Sequence, residues 1–444
     1  MLSAVTLSLT LAAAPPTQCV APMNAWCNST ANCPNALSAG AVTKIALHDT
    51  DAHRDAPQWR CYDPSTLDAA HDKYASGANY CTRNSQLTAL LEQCDPPPPT
   101  PPPPPTPAPP PLPSATAVFE AGLAGIACFR IPSIVQTHTG ALLAFAEARH
   151  ASCSDGAVWQ IASRRSTDGG ATWGAVTFAV GNSSFYVGNP SAVHTRSGKT
   201  VLVFVKHSPG CVGDCGVGNG VVVSVDDGVT FGAVDDVSAD FGPASGSLPG
   251  PGIVMQSLTG RLLVASHHSA YVHDFVSYSD DDGGSWATIN QTFPKMDEAT
   301  MAQLPNGSIA LNMRHQAAKA LGRGVAISHD DGATFGPIRF DAALESPVCQ
   351  ASLVAFGGVT YFSNPASTGG RDHTTVRCSA DSGATWSGAR LIEPRASAGY
   401  SCLVAGELLS GLAGRGGILF ESANSTIAFA AFELGSDAAH CLDV

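Results

Sequence analysis

The sequence predicts an all-β fold, a β-propeller, on three observations: a recurring eight-residue turn pattern, its spacing, and a composition poor in charge and rich in glycine. The pattern reads STDGGATW from Ser166, SVDDGVTF from Ser224, SDDDGGSW from Ser279, SHDDGATF from Ser328 and SADSGATW from Ser379. Successive copies lie 58, 55, 49 and 51 residues apart. That period suits one four-stranded blade per copy, at about 10–12 residues per strand and turn. Only 13% of the 444 residues are charged and 44 are glycine, which fits many short strands joined by tight turns better than long solvated helices.

Each copy carries turn chemistry. The Asp carboxylate can accept from backbone N–H groups of a hairpin, the glycine permits φ > 0, and the closing Trp or Phe plugs into the blade. The acidic run from Asp280 to Asp282 also has the look of a calcium loop. The same cluster recurs as a turn element in other copies, so it is assigned to the turn and no metal is expected.

Composition shifts divide the chain. Residues 1–14, MLSAVTLSLTLAAA, form a short apolar run ending in small residues, as a signal peptide does, although no Lys or Arg precedes it. Residues 15–95 hold Cys19, Cys27, Cys33, Cys61, Cys81 and Cys94, read as a small cysteine-rich module stapled by three disulfides. Its role is either a structural or protective appendage or the binding of a glycan or surface. Residues 96–113 are almost all proline, so polyproline II should make a stiff spacer of roughly 55 Å. Residues 114–444 are then the main body. Fourteen cysteines and five N-x-S/T triplets, at Asn28, Asn182, Asn290, Asn306 and Asn424, agree with an oxidising, secreted or lumenal destination. No later apolar run approaches the roughly 18 residues a membrane span needs. A net charge of -13 with no basic stripe argues against a nucleic-acid partner.

The repeats resemble the Asp boxes of the sialidase (neuraminidase) family, over about residues 116–435, and the resemblance implies six blades. Asp boxes also occur in non-enzymatic propellers, so activity must be argued from individual residues. The substrate class that the resemblance implies, terminal sialic acids of glycans, sets the requirements. A sialic acid carries a carboxylate on its anomeric carbon, and planar guanidinium groups bind such a charge with paired hydrogen bonds. Phe129-Arg130-Ile131-Pro132 is similar to the family's F/Y-R-I-P signature and makes Arg130 the first clamp arginine. Arg314, after the turn at Pro305-Asn306-Gly307, and Arg371, before the last box, would be the second and third, and Arg149 an additional arginine lining the pocket. Wide separation in sequence is expected, because a propeller gathers its inner strands around one axis.

The remaining roles also follow from the resemblance. A carboxylate nucleophile would face the substrate's own carboxylate, and a neutral tyrosine avoids that repulsion. Tyr400, in Gly399-Tyr400-Ser401-Cys402-Leu403, resembles the family's Y-S-x-L element, with Cys402 departing from the usual residue. Glu298 would activate the phenol, with Asp297 as the competing carboxylate one register step away. Asp155 occupies the place of the acid on a mobile rim loop, while Asp168 within a box is turn glue. Glu421 resembles the carboxylate that holds the first clamp arginine. The implied function is an exo-alpha-sialidase working with retention through a tyrosyl-enzyme intermediate, with no cofactor and no metal. Its competitors are a trans-sialidase and an inactive sialic-acid-binding lectin.

Overall fold

The computed structural model describes residues 114–444 except 156–157, 182–184, 209–215, 243–246, 269–270, 317–320, 406–414, 438–439 and 443–444. Of residues 1–113 it describes the backbone of three short strands, Trp26–Cys27, Lys44–His48 and Gln58–Tyr62, which form one antiparallel sheet with Gln58–Tyr62 in the middle. The expected signal peptide, cysteine pairs and proline spacer otherwise lie outside the described residues, as do the triplets at Asn28 and Asn182. Contacts divide the chain between Pro109 and Pro110 into two units.

The second unit is a six-bladed β-propeller whose strands pair antiparallel, apart from a short parallel pairing of Gly252–Ile253 with Tyr186–His194. The first blade is Cys128–Gln136, Leu142–Arg149, Val158–Ser166 and Thr177–Val180, joined in chain order. The fourth is Met296–Gln303, Ile309–His315, Arg323–Ser328 and Arg339–Asp341; the fifth is Ser352–Phe356, Val359–Pro365, Thr374–Ser379 and Gly388–Glu393. The sixth differs. Its strands Ser401–Ala405, Arg415–Ser422 and Thr426–Asp437 are completed by Ala115–Phe119, which pairs with Thr426–Asp437 and closes the ring. Each of the five boxes follows the third strand of its blade. Thr426–Asp437 also pairs with His440–Leu442, and the sequence after it carries no copy of the eight-residue pattern, so six blades carry five boxes.

The box bonds repeat almost unchanged. Asp168 Oδ1 accepts from the Ser166 hydroxyl (2.8 Å) and the Thr172 N–H (2.9 Å), and its other oxygen from the Thr172 hydroxyl (2.5 Å). Asp226, Asp281, Asp330 and Asp381 do the same in their own boxes. The glycine answers a packing need as well as a turn: Gly170 has φ 91°, and a Cβ there would lie 2.2 Å from the Phe429 ring of the sixth blade. A second Asp stitches blades together. Asp227 accepts from Thr139 (2.6 Å) and Asp331 from Thr259 (2.5 Å), each reaching the inner hairpin of the preceding blade. In the acidic run that resembled a calcium loop, each carboxylate is taken by a protein donor: Asp280 by Arg261 (2.7 Å), Asp281 by its box and Asp282 by Ser197.

Apolar cores fill the gaps between blades. One, joining the sixth blade to the first, includes Val118, Phe119, Phe129, Leu142, Leu419 and Phe429. Val118 and Phe119 are fully buried, each contributing about 1.5–3 kcal/mol. The ring-closing strand is thus a core element. A protein beginning at Ser114 is expected to unfold at the full chain's temperature, whereas one beginning at Gly122 should lose cooperative unfolding or drop in Tm by about 10 °C or more. Thermal unfolding followed by circular dichroism decides; equal Tm values would refute the closure argument.

Candidate active site

All eight sequence-nominated residues fall within one connected set of contacts, drawn from the first, fourth, fifth and sixth blades. Arg130 stands third in Cys128–Gln136, just before a bulge: Arg130 pairs with Glu147 and Ser133 with Phe145, leaving one residue too many between them. Ile131 takes φ 61° there, a conformation that strains a β-branched residue by about 1–3 kcal/mol. Glu421 offsets that strain. Its Oε1 accepts from Arg130 Nε (2.9 Å) and the Ile131 N–H (3.0 Å), and its Oε2 from Arg130 Nη2 (3.2 Å) and the Tyr400 N–H (3.0 Å). One buried carboxylate therefore sets both the first arginine and the tyrosine. Burial opposes the charge on Arg130, but Glu421 outweighs it and raises the guanidinium pKa.

Tyr400 enters the sixth blade's inner strand behind Gly399, whose φ is 90°. A Cβ at Gly399 would lie 3.0 Å from Arg371 Cβ and 3.1 Å from Cys349 Sγ, so glycine lets the chain pass tightly against the third arginine. On the other side Gln350 fixes the strand, accepting from the Ser401 N–H at 3.0 Å. The Tyr400 ring packs on Ile131 and Cys349 and has two cations near it, with Arg130 Cζ 5.2 Å and Arg371 Cζ 5.5 Å from its centroid. Cys402, the departure from the family pattern, is fully buried, with its thiol pushed up to about 12 by burial. It packs in the hub and leaves the phenol free of it.

The phenol donates a hydrogen bond to Glu298 Oε1. The other oxygen of Glu298 accepts from Arg314 Nη1 at 2.6 Å, and the same nitrogen lies 3.5 Å from the phenol oxygen. Burial pushes the Glu298 carboxyl up, but Arg314, His267 and the phenol outweigh it and hold the pKa below the ordinary value. Burial first, then the Glu298 charge, push the Tyr400 phenol well above its ordinary value. The resting site therefore holds a neutral phenol against a carboxylate.

Asp297 and Glu298 lie at a second bulge. Asp297 pairs with Arg314 and Ala299 with Met313, so Glu298 is the extra residue and strict alternation is broken. Both carboxylates then reach Arg314: Asp297 sits 2.8 Å from Nε and accepts the Glu298 N–H at 2.6 Å. Burial and the Glu298 charge push the Asp297 carboxyl up to about 7. Only Glu298 touches the phenol.

Asp155, on the loop after Leu142–Arg149, is 78% exposed and reaches in from the rim. Its Oδ1 accepts from Arg149 Nη1 (2.8 Å) and lies 3.5 Å from Arg130 Nη1. Arg149 is buried and held by Glu147 at 2.9 and 2.6 Å. Arg371 donates to the carbonyls of Ala398 (3.0 Å) and Val348 (3.3 Å). Sequence reasoning missed Arg323, which is fully buried and joins Asn312 Oδ1 (2.8 Å) to the Cys349 carbonyl (2.6 Å). It thereby ties the Arg314 strand to the segment that carries Val348. It also missed a disulfide between Cys128 and Cys153, for which a signal existed: each cysteine stands two residues before a nominated residue.

The sequence matches the BNR repeat-like domain over residues 140–408. It is 31% identical over 319 residues to a sialidase of Micromonospora viridifaciens, covering 64% of this chain and 49% of that one. To a sialidase of Bacteroides fragilis (strain YCH46) it is 30% identical over 357 residues, covering 71% and 64%. The chain thus spans about half to two thirds of the length of these relatives. Among solved structures, the Hadza microbial sialidase Hz136 superposes with a TM-score of 0.65 at 27% identity, over 72% of this chain and 68% of that one. A leech intramolecular trans-sialidase, at 17% identity and a TM-score of 0.60 over 72% and 70%, shares the fold. With its five Asp boxes, six blades and the match across more than half its length, the chain belongs to the BNR repeat-like, sialidase family of propellers.

Proposed function

We propose that this chain is an exo-alpha-sialidase that hydrolyses terminal sialic acids of glycoconjugates with retention, through a tyrosyl-enzyme intermediate. The observation that carries the reading is the Tyr400 phenol donating to the buried Glu298 carboxylate, with Arg314 bound to the same carboxylate. In this mechanism Arg130, Arg314 and Arg371 hold the sialic acid carboxylate, and Arg149 lines the pocket. As the glycosidic bond breaks, positive charge grows at the anomeric carbon and favours an anionic oxygen nearby. The phenol then passes its proton to Glu298 as its oxygen attacks, while Asp155 protonates the departing alcohol and later takes a proton from water. Neutral Tyr400 avoids the repulsion that a nucleophilic carboxylate would meet. Glu421 and Glu147 touch no substrate in this scheme; they hold Arg130, Tyr400 and Arg149 in place.

The reading extends to location. The Cys128–Cys153 bond supports an oxidising, secreted or lumenal compartment, where the triplets at Asn290, Asn306 and Asn424 would be open to glycosylation. The decisive experiment incubates the protein with an aryl alpha-sialoside and follows phenol release together with the anomer first formed. Alpha-sialic acid as first product supports the proposal. The beta anomer refutes retention, saturable binding without release supports a lectin, and transfer to an added galactoside supports a trans-sialidase.

The three clamp arginines should behave unequally. Each alanine variant is expected to lower kcat/KM by about 30-fold or more, as loss of one partner of a desolvated charge pair does. Arg130→Ala and Arg314→Ala also strand the buried Glu421 and Glu298, and should lower stability by about 3 kcal/mol. Arg371 bonds to backbone carbonyls, so Arg371→Ala should keep Tm close to that of the unaltered protein. Chemical denaturation beside steady-state kinetics checks this, and a folded variant with unchanged kcat/KM removes that arginine from the clamp.

A further inference from the structure

Cys128 stands two residues before Arg130 and Cys153 two before Asp155, and the two are bonded with Cα atoms 5.2 Å apart. Cys128 begins the inner strand of the first blade, directly opposite Arg149, and is buried. Cys153 lies on the exposed rim loop. The bond therefore joins the strand that holds the first clamp arginine to the loop that holds the acid. Both cysteines also line a cleft of about 190 Å³ together with Arg130, Glu421 and, from the sixth blade, Ser425 and Thr426.

Among the described residues the loop's other ties are few: His150 Nε2 lies 2.8 Å from Gln160 Oε1, and Ser425 Oγ 3.5 Å from Cys153 Sγ. Ser152 and Ser154 bond mainly to each other, with the Ser154 N–H donating to Ser152 Oγ at 3.2 Å. The Cys153 carbonyl accepts from Arg149 Nη1 at 2.5 Å, and the Asp155 carboxylate takes the same nitrogen at 2.8 Å. Asp155 is 78% exposed, so packing does not fix its side chain. Exposed loops are mobile by default, yet proton transfer tolerates little misplacement, and an error of about 1 Å can cost about 100-fold.

We propose that the Cys128–Cys153 disulfide is a positioning element for proton transfer, holding the Asp155 loop against the Arg130 strand so that the carboxyl meets the leaving-group oxygen. The two cysteines touch no reacting atom in this scheme and act through Asp155. The inference rests on Asp155 being the acid. Without the bond, Asp155 keeps its chemistry but spends less time in reach. The loss should then follow how much proton a leaving group needs, which a general loosening of the fold would not produce.

The test uses the full chain with Cys128→Ala and Cys153→Ala together, folding being checked by circular dichroism. For a natural sialoside with an alcohol leaving group, kcat/KM is expected to fall about 10- to 100-fold. For an aryl sialoside with an acidic phenol it should fall about three-fold or less. A second variant guards against misfolding: two glycines inserted between Cys153 and Ser154 keep the disulfide but lengthen the tether, and should give the same selective loss. Adding Asp155→Ala to the double-alanine protein should cost less on the natural substrate than in the unaltered protein, because the acid is already out of place. Equal loss on both substrates, or no loss on either, overturns the proposal. If Asp155→Ala alone shows no dependence on the leaving group, the assignment of the acid falls instead. If it shows that dependence and the cysteine and glycine variants do not, only the positioning role falls.

Discussion

Tyr400→Phe is expected to abolish the covalent route while leaving the pocket shape intact, lowering kcat/KM by about 100-fold or more for natural and aryl sialosides alike. The ring that Arg130 and Arg371 approach is kept; only the oxygen bonded to Glu298 is lost. The Glu298–Arg314 pair survives the substitution, so a folded protein with an intact arginine clamp should still bind sialic acid. Residual turnover should no longer proceed with retention, because water must attack in place of the phenol. A fluorinated sialosyl donor that slows breakdown of the intermediate should label a peptide containing Tyr400 in the unaltered protein and none in the variant. Labelling of Glu298 or Asp155 would force a two-carboxylate account.

What the sequence disclosed and what it hid divide along a physical line. The Asp boxes were legible because a turn is local: Asp168, Gly170 and Thr172 bond within a few residues of one another, so the pattern repeats wherever the turn does. The blade without a box was not readable as such, since its fourth strand, Ala115–Phe119, lies more than 300 residues from its partner Thr426–Asp437. Arg130 could be nominated through its neighbours in the F-R-I-P run, but the bulge that aims it depends on register with Glu147 and Phe145. The same limit left Asp297 and Glu298 in competition. Alternation assigns adjacent residues to opposite faces, and only the pairing across to Arg314 and Met313 shows that a bulge brings both onto one arginine. Arg323 gave no signal at all. Its role comes from burial beside Asn312 and Cys349, which no spacing in the sequence encodes.

Asp155→Ala should separate the acid from every other group in the pocket, because its effect depends on the substrate's leaving group. A sugar alcohol is a poor leaving group and needs a proton as the bond breaks, so kcat/KM for a natural sialoside is expected to fall by about 10²- to 10⁴-fold. A nitrophenol leaves as its anion without help, and aryl sialosides should lose far less. The substitution also removes a rim-loop carboxylate that lies near both Arg130 and Arg149, leaving Glu421 and Glu147 to hold those arginines. Sialic acid binding should therefore persist, and product inhibition by free sialic acid should change little. With aryl substrates the step that needs Asp155 becomes the second one, in which water attacks the sialosyl tyrosine, so the intermediate should accumulate. A burst of phenol release followed by slow turnover is the expected trace in rapid-mixing measurements. Equal losses on natural and aryl substrates with no burst would mean that Asp155 orients Arg130 and Arg149 rather than moving a proton.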